Sequence, residues 1–588
     1  MLPVRTSTLS ASLSMAAIAT GRRVSHSRTL NTAALRGAQL GFFALPQIQN
    51  EPMRPYPVGS ADRENLKAAI KDLRSELPFE VPAVINGHEL RSTSSSSLSH
   101  QLIPFEHATV LAKSHEVDAK VVVERAIPGA LEAKRAWETM SFTDRASIFL
   151  KAADLVANKY RYKILAATML GQGKNVWQAE IDAAAELADF FRFNVWYAQH
   201  QIYSQQPLSN QADGYWNRVE YRPLEGFVAA VSPFNFTAIG GNLAGAPVLM
   251  GNVVLWKPSP HAAYSNHLVL QILREAGLPD GVIQFVPGPA EAVVGAMVDH
   301  PDFAGLHFTG SSAVFKGLYK RIAGNIDGYK NFPRIVGETG GKNMHFIHRS
   351  AHVPTVVNQT IRGTFEYSGQ KCSATSRMYC PDSLWDEVKE GLVEGVKKIK
   401  VGPVDDFSTF VSAVIHKASF EKCKSYIEYA KAAPDAEILV GGVCDDSKGY
   451  YVHPTVIVTT NPSFKSITEE IFGPILTIYV YPADKYEETL LLADRTSSYA
   501  LTAALFARDR EAQIVGAETL RNCAGNFYIN DKSTGDIVGQ QPFGGSRASG
   551  TNDKAGAAIN LLRWVSPRAV KENFRDLSGY TYPSNAAA

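Results

Sequence analysis

The sequence predicts an α/β protein built on a parallel, doubly wound sheet. The middle of the chain alternates apolar and helical segments, with strands predicted at 253–256, 282–286 and 304–308 and helices between them. Gly277 and Pro279 form a stop signal at the end of the first of these helices. Repeats of this kind form parallel sheets that bind ligands at the carboxyl ends of their strands. A length of 588 residues indicates two or three domains.

Composition excludes several classes of protein. The chain has 59 basic and 57 acidic residues, and a formal net charge of +2 gives no argument for a nucleic-acid partner. Its five cysteines are odd in number and include no C-x-x-C pair, which is typical of free thiols in a reducing compartment. Cysteine and histidine are too scattered for a zinc site, so we predict no metal.

The first fifty residues have the composition of a mitochondrial transit peptide. They contain five arginines and many serines, threonines and alanines, but no lysine and no acidic residue. A secretory signal is the alternative, but serines interrupt the apolar stretch 9–19. We therefore predict import into the mitochondrial matrix.

An uncharged stretch of 31 residues, 226–256, is long enough to cross a membrane. Its prolines, glycines and asparagines would leave polar groups unsatisfied in lipid, so we predict no membrane span. The stretch instead predicts a buried strand at 227–231, a loop at 232–236, a short helix and a second strand. Asn235 lies in this loop, where its amide either ties the loop together or faces a ligand.

Two predicted strand ends carry residues suited to a nucleotide. Lys257 could reach a ribose or a phosphate, and Gly310-Ser311 opens a helix whose free N–H groups could hold a pyrophosphate. The standard fingerprints are missing, since no G-x-G-x-x-G follows a strand. The segment 337–342 resembles a P-loop, but it lacks the upstream glycine, and Asn343 replaces the serine or threonine that binds Mg²⁺.

Cys372 is the candidate nucleophile. Lys371 precedes it, and we expect this cation and the free N–H groups of a helix start to favour the thiolate. The alternative is a small buried hydrophobic residue. Glu338 lies in a glycine-rich turn that a ligand could approach closely, and the alternative is a solvated loop acid.

Three other segments carry predictions. Asn86-Gly87 lies between apolar runs and predicts a hairpin. Residues 176–200 predict a long helix whose acidic residues form a solvated face; these are Glu180, Asp182, Glu186 and Asp189. The loop 531–545 has no periodicity and is either functional or disordered.

Six short segments, taken together and in this order, resemble the aldehyde dehydrogenase family. They are Ser232-Pro-Phe-Asn235, Trp256-Lys-Pro-Ser259, Phe308-Thr-Gly-Ser311, Gly337-Glu-Thr-Gly-Gly-Lys-Asn343, Gly369-Gln-Lys-Cys372 and Glu470-Ile-Phe-Gly-Pro474. The resemblance extends from about residue 80 to about residue 570. More narrowly, 525–535 and 538–545 resemble the branch of the family that oxidises L-glutamate γ-semialdehyde to L-glutamate with NAD in mitochondria, the last step of proline breakdown.

The resemblance implies a role for each matching residue. Cys372 would attack the aldehyde, the Asn235 amide would hold the oxyanion, and Glu338 would activate water. NAD would be bound by Ser232, Lys257, Gly310, Ser311, Ser312, Ala313, Val314, Glu470 and Phe472. The substrate would be bound by Ser373, Gly535, Asp536 and Phe543, with Phe236, Lys371 and Glu186 beside it.

Two residues depart from the family's pattern. Phe315 stands where many members have the second glycine of the pyrophosphate turn. Asp536 stands where the branch commonly has serine, and an acid there would repel a substrate carboxylate. We expect the Asp536 side chain to turn away, so that backbone N–H groups bind the substrate.

The implied architecture has a Rossmann-like NAD domain, an α/β catalytic domain and a small β oligomerisation element. The predicted boundaries are 1–50 for the transit peptide and extension, 51–336 for the NAD domain, 337–548 for the catalytic domain and 549–588 for the C-terminal return. Residues 206–224 would interrupt the NAD domain and form the oligomerisation strands with the C-terminal tail. The resemblance alone implies a homo-oligomer.

Three alternatives stay open. A cysteine hydrolase could use Cys372 and Glu338 without a nucleotide. The chain could be a non-catalytic binding protein on the same fold, although a scaffold has no need of Cys372, Glu338 and Asn235 together. It could also be a different semialdehyde dehydrogenase.

Overall fold

Two seven-stranded sheets organise the chain in the computed structural model, which describes residues 45–92, 94, 97–209 and 214–586. By internal contacts, residues 47–588 form one unit; the other unit is 1–46, of which only residues 45 and 46 are described. Most of the predicted transit peptide therefore lies outside the described residues. None of the helices in the described part of the chain is both long and apolar enough to cross a bilayer.

The first sheet is mainly parallel. Its strands lie in the order Arg334–Glu338, Phe303–Thr309, Phe227–Val231, Val254–Lys257, Ile283–Phe285, Ala83–Ile85 and His88–Leu90. The first five are parallel to their neighbours, and the last two pair antiparallel at one edge. The predicted doubly wound α/β class is confirmed.

The second sheet lies in the later half of the chain. Its strands lie in the order Ala436–Val440, Thr455–Thr459, Ile475–Tyr481, Thr375–Pro381, Asn343–Ile347, Thr502–Phe506 and Asn526–Ile529. All neighbours are parallel except the first pair. The strand Arg334–Glu338 belongs to the first sheet and crosses the boundary predicted between residues 336 and 337, so the two sheets separate a few residues later.

Smaller β elements complete the described part. A three-stranded sheet contains Phe79–Val81, Glu106–His115 and Leu98–Ile103. Tyr215–Pro223 pairs antiparallel with Val565–Asn573, so the two segments assigned to the oligomerisation element form one ribbon. Short pairs join Cys444–Asp445 to Tyr451–Val452 and Tyr499–Ala500 to Ser546–Arg547.

Helices cover both sheets. The α-helices are Ala61–Ser75, Ala119–Val121, Ile127–Trp137, Phe142–Ala157, Arg161–Gln172, Val176–Ala179, Leu187–Tyr197, Thr237–Leu249, Ala263–Ala276, Ala290–Val298, Ser312–Gly324, Val353–Phe365, Asp382–Lys397, Lys417–Ala432, Lys465–Thr468, Tyr486–Arg495, Arg510–Thr519 and Ala558–Leu562. Three π-helical segments interrupt or extend them, at Val122–Ala126, Glu180–Glu186 and Ala198–Tyr203. Short 3₁₀ turns lie at Pro260–Ala262, Ile326–Gly328, Glu366–Gly369, Ala483–Lys485 and Pro583–Asn585.

Local sequence signals account for several element ends. Asn86 and Gly87 adopt positive φ values of 54° and 79° and connect the antiparallel edge strands, as a tight hairpin requires. Gly277, at φ 114°, ends the helix Ala263–Ala276 in a left-handed conformation. Both predictions are confirmed.

The uncharged stretch 226–256 forms the centre of the first sheet. It contains the strand Phe227–Val231, a loop, the buried helix Thr237–Leu249 and the start of Val254–Lys257. Its buried amides find partners, as polar groups away from water must. Asn252 accepts from Leu224 N at 2.9 Å and donates to the carbonyls of Pro247 and Trp564 at 3.0 and 2.8 Å.

We predict that Asn252→Ala lowers the free energy of unfolding by about 2 kcal/mol, because it removes the partner of the buried Leu224 N–H, at about 1–3 kcal/mol, and the side-chain bond to the Trp564 carbonyl. The Pro247 carbonyl keeps its bond from the backbone N–H of residue 252. Urea denaturation measures the loss. Asn158→Ala is the matched control, since the Asn158 amide bonds only Asp154 on an exposed helix end, and a change below about 0.5 kcal/mol is expected. Equal effects of the two substitutions would contradict the bridging role of Asn252.

Candidate active site

The segment before Cys372 has an unusual backbone. Tyr367, Ser368 and Gly369 have φ values of 51°, 54° and 66°, between the helix Val353–Phe365 and the strand Thr375–Pro381. Left-handed conformations are costly for residues with a side chain, and they persist only where surrounding contacts hold them. Here Ser368 Oγ donates to Ser412 O at 2.7 Å, and Gln370 Oε1 accepts from Ile415 N at 2.8 Å.

Asn235 is bonded directly to this segment. Its Nδ2 donates to Gln370 O at 3.1 Å, two residues before Cys372, and the side chain is 3% exposed. A primary amide has two N–H donors, so one remains for a ligand. The two alternatives for Asn235 are therefore compatible, because the same amide ties the two loops together and keeps a donor free. The backbone N–H of Cys372 also donates to no other described residue.

Glu338 ends the strand Arg334–Glu338 and faces the same space. Its Oε2 accepts from Gly545 N at 3.3 Å, while its buried Oε1 has no partner among the described residues. A Cβ at Gly544 would lie 3.0 Å from that free oxygen, so the glycine leaves room beside it. Burial raises the pKa of Glu338 well above its usual range, which makes the ionised carboxylate a stronger base.

The thiol of Cys372 does not have the environment that we predicted. No helix starts at this residue; Lys371–Ser373 form a bend and turn before the strand Thr375–Pro381. Lys371 Nζ bonds Glu366 Oε2 at 2.9 Å, so its charge is already paired. Burial, together with the carboxylates of Asp536, Glu338 and Glu470, raises the pKa of Cys372. The expectation of a lowered thiol pKa was wrong.

Ser373 and the loop 531–545 meet as the resemblance implied. Ser373 Oγ lies 2.6 Å from Thr534 Oγ1, and Ser533 Oγ donates to Ser373 O at 3.2 Å. Gly535 follows with φ 97° and is exposed, and Phe543 N donates to Ala555 O at 3.1 Å. Sequence reasoning missed Thr534, although it lies within the loop that we had singled out.

Asp536 does not turn away from this space. It is half-buried, and its charge raises the pKa values of Cys372, Glu338 and Glu186. Burial raises the pKa of Asp536 itself to about 6, although Lys371 and Lys554 oppose the shift. The expectation that its side chain would face away is not met, because its field acts on the groups around the thiol.

The prediction that the acidic residues of 176–200 form a solvated face was also wrong. Glu180 and Asp182 are fully buried and Asp189 is 3% exposed, because each has internal partners. Glu180 bonds Arg161 and Tyr56, and Asp189 accepts from Asn50 and Glu51. Glu186 is half-buried, and its pKa is raised well above the usual range by burial and by Asp536. These acids form an internal network and not a solvated face.

The predicted cofactor residues from Ser232 to Val314 lie at the carboxyl ends of strands in the first sheet. Ser232 is buried and accepts from Trp256 Nε1 at 3.0 Å. Ser311 caps the helix Ser312–Gly324 by accepting from Val314 N at 3.3 Å. Ser311, Ala313 and Val314 are exposed, so the start of this helix is open to a ligand.

Lys257 fits an anionic or hydroxylated partner. Its side chain is 6% exposed and forms no hydrogen bond or ion pair with a described residue. Burial lowers its pKa to about 8, and Glu116 only partly opposes this effect. An ammonium group held out of water without a partner is stabilised by a ligand oxygen. The residues at this sheet edge therefore fit a dinucleotide.

Phe315 points into the core and not toward the open helix start. It stacks on Phe308 at 5.5 Å, and a Cβ on Gly337 would lie 2.2 Å from its ring. Gly310 and Ser312 keep the turn free of a large side chain, with Ser312 Oγ donating to Thr339 Oγ1 at 3.0 Å. The phenylalanine is thus accommodated by the glycine before Glu338.

Glu470 and Phe472 follow the short helix Lys465–Thr468, and the charge of Glu470 contributes to the raised pKa of Cys372. Glu470 Oε1 accepts from Gly341 N at 2.9 Å, and burial raises its pKa. Phe472 has a φ of 65° and packs edge-to-face on Phe234 at 5.9 Å, next to Asn235. Phe236 lies on the other flank of Asn235, with the Lys174 ammonium 3.7 Å from its ring centre.

Two further features complete the site. Lys554 Nζ donates to the carbonyls of Gly525 and Gly544 at 2.8 and 3.0 Å, near Glu338 and Asp536; no sequence motif marks it. Within the described ranges, no group of three or more His, Cys, Asp or Glu side chains could hold a metal ion.

We predict that alkylation of Cys372 by iodoacetamide is slow at neutral pH and still accelerates above about pH 8.5, the ordinary thiol value, because burial and nearby carboxylates oppose the thiolate. Mass spectrometry of the alkylated peptide at several pH values measures the rate. The Cys372→Ser variant is the control, because it shows how fast the other cysteines are alkylated. A rate already at its maximum at pH 7 would contradict the electrostatics of the site.

Comparison with known proteins gives a consistent result. A profile described as "Aldehyde dehydrogenase family" matches residues 92–570. A relative from Dictyostelium discoideum, described as mitochondrial delta-1-pyrroline-5-carboxylate dehydrogenase, is 55% identical over 94% of this chain and 98% of its own. A human protein with the same description is 51% identical over 91% and 94% of the two chains.

Solved structures agree with the sequence comparisons. A delta-pyrroline-5-carboxylate dehydrogenase from Mycobacterium tuberculosis, crystallised with NAD, superposes with a TM-score of 0.89 and 44% identity over 93% of this chain and 100% of that one. A Thermus 1-pyrroline-5-carboxylate dehydrogenase with bound NAD gives 0.83 and 29% over 90% and 100%.

Proposed function

This chain belongs to the aldehyde dehydrogenase family, and we propose that it oxidises L-glutamate γ-semialdehyde, which forms from 1-pyrroline-5-carboxylate, to L-glutamate with NAD. This is the second step of proline catabolism. The observation that carries the proposal is the hydrogen bond from the Asn235 amide to Gln370 O, two residues before Cys372. It occurs in a chain whose curated relatives share the pyrroline-5-carboxylate description over most of their length.

The reaction begins at sulfur. Cys372 Sγ attacks the aldehyde carbon and forms a thiohemiacetal. Asn235 Nδ2 and the Cys372 backbone N–H hold the developing oxyanion. Asn235 keeps one N–H beyond its bond to Gln370 O, and the Cys372 N–H donates to no described residue. The raised pKa of Cys372 means that the thiol gives up its proton, to solvent, only as the sulfur attacks.

NAD, when bound, supplies the hydride acceptor. Ser232, Lys257 and the turn Gly310–Val314 would hold it at the carboxyl ends of the first sheet, with Glu470 and Phe472 beside the thiol. Glu338 then activates the water that hydrolyses the Cys372 thioester, and its unpartnered Oε1 is the atom available to take the water proton.

The substrate's amino-acid head would lie against the loop that carries Gly535. Ser373, paired with Thr534, and the backbone of Gly535 offer donors for the α-carboxylate, and Phe543 offers an apolar surface for the methylene stem. Phe236, Lys371 and Glu186 would flank this space. Asp536 carries a negative charge into it near neutral pH and would oppose the α-carboxylate.

Location and assembly are proposals of the same kind. Residues 1–50 would direct the chain to the mitochondrial matrix, in line with relatives described as mitochondrial. The ribbon of Tyr215–Pro223 and Val565–Asn573 would mediate self-association, because its exposed side chains include Trp216 and the following tail exposes Phe574 and Tyr580. The divisions near residues 336 and 548 are proposed as domain boundaries.

We expect reduced-nicotinamide absorbance to appear when the enzyme meets NAD and an aldehyde, with kcat/KM highest for glutamate semialdehyde in a panel that includes succinate and methylmalonate semialdehydes. Cys372→Ser should abolish oxidation and retain NAD binding. A preference for an aldehyde without the α-amino-acid head would refute the substrate. Turnover without any absorbance change would favour a nucleotide-independent hydrolase.

Glu338→Gln should separate the two half-reactions. The variant keeps the thiol and the oxyanion donors, so we expect a first turnover of about one equivalent of reduced cofactor per site, followed by a steady state about 10²–10⁴-fold slower than wild type. Stopped-flow absorbance measures both phases. A variant with wild-type steady-state turnover would show that another group activates the water.

Asp536→Ser should lower KM for glutamate semialdehyde by about tenfold at pH 8, where the wild-type carboxylate is ionised, with kcat changed little. Because the pKa of Asp536 is raised to about 6, protonation below that pH neutralises it and the wild-type KM should fall toward that of the variant.

Initial rates across pH measure both effects. Asp531→Ser is the matched control, because Asp531 is an exposed acid of the same loop whose carboxylate bonds Gln359. If Asp536→Ser raises KM, the carboxylate attracts the substrate and does not repel it.

A further inference from the structure

A buried ion pair lies behind the proposed catalytic residues. Lys174 Nζ and Asp182 Oδ2 are 2.8 Å apart, and the two side chains are 1% and 0% exposed. Neither residue belongs to any of the six family segments in the sequence. A buried pair of this kind seldom adds stability over apolar residues of similar volume, so stability alone gives little reason for its presence.

Asp182 holds the start of the helix that follows Asn235. Its Oδ2 accepts from Thr237 N at 2.9 Å, and its Oδ1 accepts from Ala238 N at 2.8 Å. These are the first two residues of the helix Thr237–Leu249, whose own N-cap residue, Phe236, provides no side-chain cap. A carboxylate at this end satisfies otherwise free N–H groups and interacts favourably with the helix dipole.

Lys174 connects both loops of the site. Its ammonium lies 3.7 Å from the ring centre of Phe236, which follows Asn235, and 4.7 Å from that of Tyr367, which lies in the left-handed segment before Cys372. A desolvated ammonium attracts aromatic faces. Tyr367 is also fixed by its hydroxyl, which donates to Gln172 O at 2.9 Å. One cation therefore contacts a residue on each side of the bond between Asn235 and Gln370.

The π-helical segment Glu180–Glu186 aims Asp182 inward. π-Helical turns are rare and are frequent at functional sites, because they change the direction in which side chains point. Here the segment brings the Asp182 carboxylate to the helix start at Thr237 and places Glu186 near enough for its charge to act on Lys174.

We infer that Asp182 and Lys174 are positioning residues, which fix the free N–H of Asn235 at the place where the oxyanion forms. This inference rests on the proposed role of Asn235. Removing the carboxylate would release the first turn of Thr237–Leu249 and leave Lys174 buried without its partner. A displacement of about 1 Å in a catalytic group can reduce the rate about 10²-fold.

The test is a double-mutant cycle between Asp182→Asn and Asn235→Ala. Asp182→Asn should lower kcat about 10²-fold, with KM for the aldehyde and the dissociation constant of NAD within about threefold of wild type. In the Asn235→Ala background, the same change should lower kcat by less than about threefold, because the amide that Asp182 positions is already absent.

The matched control is Glu180→Gln. Glu180 is a fully buried acid in the same π-helical segment, but it bonds Arg161, Tyr56 and Arg54 and not the loop of Asn235. This variant should lose thermal stability and keep kcat within about threefold of wild type. If it loses as much kcat as Asp182→Asn, the effect is general to buried charge and the inference is wrong.

Lys174→Met provides a second arm that leaves the capping carboxylate in place, should Asp182→Asn not fold. It should lower kcat in the wild-type background and have little effect in the Asn235→Ala background. Equal losses in both backgrounds, or no loss in wild type, would overturn the positioning role. If Asn235→Ala itself turns over like wild type, the oxyanion role fails first and the inference falls with it.

Discussion

The structure depends on one hydrogen bond, from Asn235 Nδ2 to Gln370 O. It joins two loops whose bonded residues are 135 positions apart in sequence. The loop of Asn235 follows the strand Phe227–Val231 of the first sheet, and that of Gln370 precedes the strand Thr375–Pro381 of the second. Asn235 and Gln370 are both buried, so their polar groups must find partners, and the amide and the carbonyl satisfy each other. The second N–H of Asn235 has no partner among the described residues, so a bond required for folding leaves a donor available for catalysis.

Acidic groups dominate the electrostatics around the thiol. Glu338, Asp536 and Glu470 all disfavour the thiolate, and Lys371 is paired with Glu366. A cysteine in this setting stays protonated until a substrate and a base are in place. The raised pKa of Glu338 suits it to the later task of taking a proton from water, because a stronger base accepts that proton more readily. The thiol of Cys372 is therefore ionised only during the reaction and not in the resting site.

Sequence patterns predicted the parts of the fold that depend on local periodicity. The strand Phe227–Val231, the hairpin at Asn86-Gly87 and the helix end at Gly277 follow from apolar runs and turn residues, which act over a few positions. The acids Asp182 and Asp189 could not be placed this way. Helical spacing shows which residues share a face, but it does not show whether a buried cation or the N–H groups of another helix lie opposite that face.

The same limit applies to the site. The six segments carried Cys372, Asn235 and Glu338, but not Lys174, Thr534 or Lys554, whose partners come from distant parts of the chain. The thiol pKa was predicted in the wrong direction because the sequence showed the Lys371 cation and suggested a helix start, but not the acidic groups around the thiol. Its partner Glu366 and the carboxylate of Asp536 enter only when the chain has folded.

The most direct measurement is a crystal structure of the Glu338→Gln enzyme trapped with glutamate semialdehyde and NAD. We predict a thioester on Cys372 whose carbonyl oxygen lies about 3 Å from both Asn235 Nδ2 and Cys372 N. A thioester oxygen that points away from Asn235, or a substrate attached to any other residue, would contradict it.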